Sequence, residues 1–230
     1  DLAVDEVTVD AGGAVTVGPG VLLTNTGTAA DFRILAGPSA SGSLVIPGTF
    51  AGEVTHQVQL RTPSGGGDYH YFSPPVSGET IPGFIAGNTC GMPATSKVTG
   101  VWHWEEPLGD WQELTTLAGA VFSPGRGYNL AQNPEASNDG LFSFRGTPVT
   151  DVAVTATSPY ADVILPTATR EVYDQRLRAT GRTAPANWGA GGWNLLGNPY
   201  NAALLIADPL EGTDDLTWGD EFLEANLNAF

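Results

Sequence analysis

Three histidines, one cysteine and scattered carboxylates are the residues of this chain best equipped for chemistry. His56, His70 and His103 each sit in a β-like run, with no second ligand at metal spacing. Neither an H-x-x-H nor a C-x-x-C pair occurs. They read as ordinary strand histidines, and no metal or cofactor is expected. Cys90, in "GNTCGMP", is the only cysteine, which rules out an intramolecular disulfide. A reactive thiolate needs basic neighbours, and only Lys97 is near in sequence, so Cys90 reads as an inert or partly exposed loop thiol. Glu105 and Glu106 are adjacent, hence on opposite faces of a strand or in a turn. That spacing suits a solvated turn better than a paired acid and base.

Nucleophile motifs are equally thin. "GPSASGS" (37–43) misses the G-x-S-x-G elbow at its last required glycine, and Ser73 and Ser77 have no histidine at an informative spacing. "GRGYNL" (125–130) lacks the lysine and flanks of a phosphate loop and reads as a turn entering a strand. Asp214, Asp215, Asp220 and Glu221 depart from the spacing of a calcium loop and suit the start of a helix. No catalytic residue is assigned, and the chain is not expected to be an enzyme.

The aromatic stretch "VWHWEEPLGDW" carries more. Trp102 and Trp104 alternate onto one face of a strand, and Trp111 follows after a turn. Aromatic rings on a sheet can form a platform on which sugar rings stack, which makes Trp102, Trp104 and Trp111 the candidate ligand-binding residues. The preferred reading is plainer: the three are large core residues of a β-sandwich.

The elements that would position these residues are short strands. The chain has 230 residues, 30 Gly and 17 Pro, with 41% hydrophobic residues: turn-rich, but long and apolar enough to fold. Its net charge of −16, with eight Arg and the single Lys97, argues against nucleic acid as a partner. An acidic, lysine-poor chain fits either salty water or a GC-rich genome. No run of 18 apolar residues occurs, so no membrane-spanning helix is expected. The opening "DLAVDEVTV" is already patterned as a strand, as for a mature terminus left after removal of a signal peptide.

Within residues 1–60, "VTV" (7–9), "AVTV" (14–17), "VLLT" (21–24), "FRIL" (32–35), "SLVI" (43–46) and "VTHQVQL" (54–60) are separated by turn residues. They predict a short-strand meander or a small β-solenoid over 1–62. "RTPSGGGD" (61–68) is the linker candidate. Residues 63–230 then predict an antiparallel β-sandwich. Within it, 164–182 could be a strand pair or a short helix, with extended structure preferred, and 215–230 forms one short C-terminal helix. The fold class is therefore all-β.

An internal echo links "YHYFSPPVSGETIPGF" (69–84) with "WNLLGNPYNAALLIAD" (193–208): Phe72 matches Leu196 and Pro75 matches Pro199. Each copy reads as a strand ended by a Pro turn. The second would be the start of an incomplete repeat from about residue 190.

The ordered motifs "LLTNTGT", "YHYFSPPVSG", "WHWEEPLGDW", "FSPGRGYNLA", "FRGTP" and "GGWNLLGNPYNAAL" resemble the cell-surface proteins exported by type IX secretion. The resemblance covers roughly residues 20–205, and the C-terminal sorting domain of that family has no counterpart here. It implies an extracellular or surface-attached protein with structural or adhesive duties and supplies no catalytic residue. The expectation is a protein that contacts other copies of itself or other surface proteins and polymerises by completing an open sheet edge. A carbohydrate-binding module with polysaccharide as partner is the alternative.

Overall fold

The computed structural model describes residues 1–60, 69–90, 95–105, 110–136, 139–150 and 195–201. Over the first sixty, runs of two to six β-formers end repeatedly at turns. Such pieces are too short to hold as isolated hairpins, and they find partners by stacking. The first turn of the stack is β1 (Leu2–Val4), β2 (Val7–Val9) and β3 (Ala14–Thr16). The second is β4 (Leu22–Asn25), β5 (Phe32–Ile34), a small hairpin of β6 (Ala36–Gly37) and β7 (Ala40–Ser41), and β8 (Ser43–Val45). The third is β9 (Thr49–Ala51) and β10 (Val54–Gln59). Every pairing between successive turns is parallel. Of the two arrangements left open by the sequence, the small β-solenoid is the one formed.

Its register stacks apolar residues on one another, with His56 closing one column. Leu23 lies beside Phe50, Val15 beside Leu44, and Val9 beside Ile34, which lies beside His56. A buried amide holds one corner: Asn25 Nδ2 donates to the Thr28 and Glu53 carbonyls at 3.0 and 2.8 Å. The stack therefore joins apolar columns with a satisfied polar corner, as a buried amide requires.

Beyond residue 68 come β11 (Tyr69–Phe72), β12 (Val76–Ser77), α1 (Ile81–Gly87), β13 (Thr89–Cys90) and β14 (Thr95–Ser96). They are followed by β15 (Val98–Glu105), β16 (Asp110–Glu113), β17 (Tyr128–Gln132) and β18 (Leu141–Pro148). β18 pairs antiparallel with β10 from Val54↔Gly146 to Gln59↔Leu141. β10 is thus both the last solenoid strand and a member of the five-stranded sheet β12-β18-β10-β5-β2, which draws strands from both 1–60 and 69–150. The second sheet is four-stranded, β11-β17-β15-β16, and all its pairs are antiparallel.

Aromatic side chains fill the space between the two sheets. Phe72 of β11 meets Phe144 of β18 at 5.5 Å between centroids. Phe84 of α1 lies 4.6 Å from Phe144 and 5.4 Å from Phe122. Tyr128 closes on Phe122 edge-to-face at 5.0 Å, and its hydroxyl accepts the Ser123 N–H at 2.7 Å. Phe84, which is fully buried, comes from a helix absent from the sequence-based expectation. Thr80 caps α1, its hydroxyl accepting the Gly83 N–H at 3.1 Å, and Pro82 sits in the first turn. The helix expected at 215–230, the chain at 164–182 and the linker at 61–68 lie outside the described residues. No helix among the described residues is long and apolar enough to cross a membrane.

Residues 195–201 form a strap over this body. The Gly127 N–H donates to the Leu195 carbonyl at 2.7 Å, and the Leu44 N–H donates to the Asn201 carbonyl at 2.7 Å. Gly197 lies against Ser73, where an added Cβ would come within 2.6 Å of the serine Cβ. The described part of the second echo copy therefore packs on the first.

Candidate functional site

One extra residue decides which way the tryptophans face. Val98 pairs with Gln132, and the next pair is Gly100 with Ala131, so Thr99 is the additional residue of a β-bulge. Tyr128, Leu130 and Gln132 alternate along β17 and are buried. Val98 and Val101 oppose Gln132 and Leu130 and point inward with them. Past the bulge the alternation has flipped, and Trp102 and Trp104 point outward. The preferred sequence reading, tryptophans in the sandwich core, is corrected here: none of the three belongs to the described core.

The outer face is a layer of rings. By register, Tyr69, Ala131 and Gly100 lie in one row, Tyr71, Asn129, Trp102 and Glu113 in the next, and Trp104 opposite Trp111 in a third. Tyr71 and Trp111, from the two edge strands, approach to 5.9 Å with ring planes 5° apart. Tyr69 stands 6.1 Å from Trp102, and Trp104 meets Trp111 edge-to-face at 5.7 Å. Gly100 makes room for Trp102, because a Cβ there would fall 1.9 Å from the indole. Tyr69 and Tyr71 are 64% and 46% exposed, and the three tryptophans are half-buried. The sequence singled out the tryptophans but missed the two tyrosines, although their i, i+2 spacing in "YHYF" was the signal for a shared face.

On the opposite face the ionisable groups are tied down. The His103 ring lies 3.3 Å from Glu105 Oε1, which also takes Arg126 Nη2 at 2.5 Å. Burial, followed by the Arg126 charge, holds His103 below the usual histidine range, against the opposing pull of Glu105. Glu105 is thus the ion-paired end of β15, which corrects the expectation of a solvated turn residue. Its neighbour Glu106 lies outside the described residues.

The remaining chemical candidates are dispersed. His56 is buried in β10 and bound by Asn201 at 2.7 Å, and His70 sits on β11. Cys90 ends β13. Ser73 Oγ accepts the Gly125 N–H at 3.2 Å, and Ser77 donates to the Thr147 carbonyl at 3.3 Å. No group of three His, Cys, Asp or Glu is placed to hold a metal among the described residues. The acidic positions Asp214, Asp215, Asp220 and Glu221 lie outside them. Glu79 was missed from sequence: burial pushes its carboxyl up to about 8, against the pull of the Arg145 backbone N–H and charge.

Comparison with known proteins adds no relative. No family model, no curated protein and no solved structure matches this chain.

Proposed function

We propose that this chain is an exported, non-catalytic adhesive module that grips an external surface with the outer aromatic face of its four-stranded sheet. One observation carries the reading: Tyr69, Tyr71, Trp102, Trp104 and Trp111 share that face, outside the core, with both tyrosines open to solvent. Exposed aromatic clusters of this kind mark interaction sites, because rings bury large area at little entropic cost. The motif resemblance to type IX-secreted surface proteins supports export and surface work. The test is retention of the labelled chain on intact cells and extracellular matrix. Retention that falls in Tyr71→Ala/Trp111→Ala supports the reading, and equal retention of wild type and variant overturns it.

A second reading, end-to-end association by strand addition, is supported by the solenoid. Among the described residues β1, β2 and β3 all pair on one side only, which leaves three parallel edges at the same end of the stack. Leu2 is 57% exposed there. Particles that lengthen with concentration, and that shorten in Thr8→Pro, support this mode. Monomers at every concentration overturn it.

A further inference from the structure

We infer that the outer aromatic face is a binding site for a neutral polysaccharide, a step that rests on the adhesive reading above and names its ligand class. A pyranose ring has an apolar C–H face and a rim of hydroxyls. A protein surface that recognises it therefore needs flat rings beside hydrogen-bonding groups, and has little use for branched aliphatic side chains. This face has that composition. Apart from Gly100 and Ala131, which leave room for the rings, its register positions carry only aromatic residues, Asn129 and Glu113. A protein-docking surface also uses Met and Arg anchors beside its aromatics, and the face has neither.

Two polar atoms lie covered beneath the rings of this face. Trp104 Nε1, a donor, and Asn129 Oδ1, an acceptor, are buried and have no hydrogen-bond partner among the described residues. Both sit in the rows spanned by the Tyr71–Trp111 pair. A sugar landing on the face first meets the open Tyr69 and Tyr71 rings and the exposed Glu113 carboxylate, and it reaches this donor and acceptor by displacing the rings that cover them. Four strands at roughly 4.8 Å spacing make the platform about 14 Å across, which suits a run of several sugar units better than a single ring.

Charge selects among polymers. The chain carries −16, and the one ionisable carboxylate on the platform, Glu113, is exposed. Uronate-rich or sulfated chains and anionic lipid surfaces are repelled, and the platform offers no Lys or Arg to offset this. Neutral glycans carry no such penalty.

The test is native affinity electrophoresis of the full chain in gels containing hydroxyethyl cellulose, galactomannan or arabinoxylan, with alginate as the anionic counterpart. Retardation by at least one neutral polymer and none by alginate is expected. Tyr71→Ala and Asn129→Ala, at part-exposed positions, are expected to weaken that retardation by about tenfold, the loss that ~1.4 kcal/mol represents, with unchanged melting temperature. Where Asn129→Ala fails to fold, Tyr69→Ala together with Tyr71→Ala takes its place. Retardation only by alginate, none by any polymer, or retardation indifferent to these substitutions overturns the proposal. Failure here with cell retention still lost in Tyr71→Ala/Trp111→Ala would overturn the glycan class and leave the adhesive reading standing.

Discussion

Asn201 Nδ2 donates to His56 Nδ1 at 2.7 Å, and the same amide reaches the Pro75 carbonyl at 2.8 Å. All three lie in the interior, 145 and 126 positions apart along the chain, so one side chain joins the solenoid, the Pro turn after β11 and the strap at 195–201. An amide nitrogen can only donate, so His56 Nδ1 must accept and its proton must sit on Nε2. Burial agrees, pushing His56 down to about 4.

Asn201→Ala should therefore loosen the strap. It removes the partner of the Pro75 carbonyl and of a buried imidazole nitrogen, a loss of about 1–3 kcal/mol for each group left unsatisfied. Denaturant unfolding should show a drop of about 2–6 kcal/mol for the two groups together, with limited proteolysis cutting near residue 200 before the rest of the body. An unchanged midpoint with unchanged cleavage would remove the strap's structural role.

The pH dependence of stability follows from His56 and Glu79. His56 falls from an ordinary 6.5 to about 4, so between those values the unfolded chain takes up a proton that the fold refuses. Stability is lost as pH drops from 6.5 toward 4, by on the order of 3 kcal/mol. Glu79 rises from 4.5 to about 8, so above 4.5 the unfolded chain releases a proton that the fold keeps, and stability is lost as pH climbs toward 8. The two slopes oppose each other between 4.5 and 6.5. Melting temperature should be flat across that window and fall on either side, and Glu79→Gln should flatten the alkaline limb and tilt the plateau, so that stability then falls as soon as pH drops below 6.5. Asp31 and Asp139 are held below the usual carboxylate range by hydrogen bonds from Thr28 and from Lys97 and Leu141, against the cost of burial. They steepen the acid limb further.

The strands of the solenoid were legible because period-two runs of Val, Thr, Leu and Ile ended at turn residues. Their parallel stacking was not, because the same runs suit a hairpin meander. The repeat length is also blurred: paired residues are 21 apart at Leu2↔Leu23 but 29 apart at Ala14↔Ser43, with the β6–β7 hairpin inserted in between. The helix α1 hid behind Pro82, Gly83 and Gly87, a composition that propensity reads as loop, though Thr80 and Pro82 were a legible cap. Asn198-Pro199 was legible as a turn, and Asn198 Oδ1 does accept the Tyr200 N–H at 3.0 Å. The partners of Asn201 were beyond any local pattern. Trp102 and Trp104 were legible as sharing a face, but the choice of face rested on a bulge at Thr99, whose one local sign in "KVTGVWHW" is Gly100 inside the strand.

Phe84 should be the costliest truncation in the molecule. Its ring contacts Phe72, Phe122, Phe142 and Phe144 and is fully buried between α1 and both sheets. Phe84→Ala should lose about 3–5 kcal/mol in chemical denaturation, through lost transfer energy plus an unfilled cavity. A loss under ~1 kcal/mol would mean that the aromatic core collapses freely around the gap.

Gly100→Ala separates the aromatic face from the stability of the sheet. The new methyl would fall 1.9, 2.5 and 2.7 Å from Cη2, Cζ3 and Cζ2 of Trp102, so the indole must swing away from the strand and from Tyr69. Those atoms are the far end of a side chain at a half-buried position, and β15 keeps its pairing with β16 and β17 on either side. The fold should therefore lose no more than about 1 kcal/mol, the scale of an off-rotamer side chain. The near-ultraviolet circular dichroism of the tryptophans should change clearly, because ring–ring geometry sets it. If the spectrum stays fixed while stability falls by several kcal/mol, the clash has been absorbed by the strand, and Trp102 is held rigidly enough to count as part of the core.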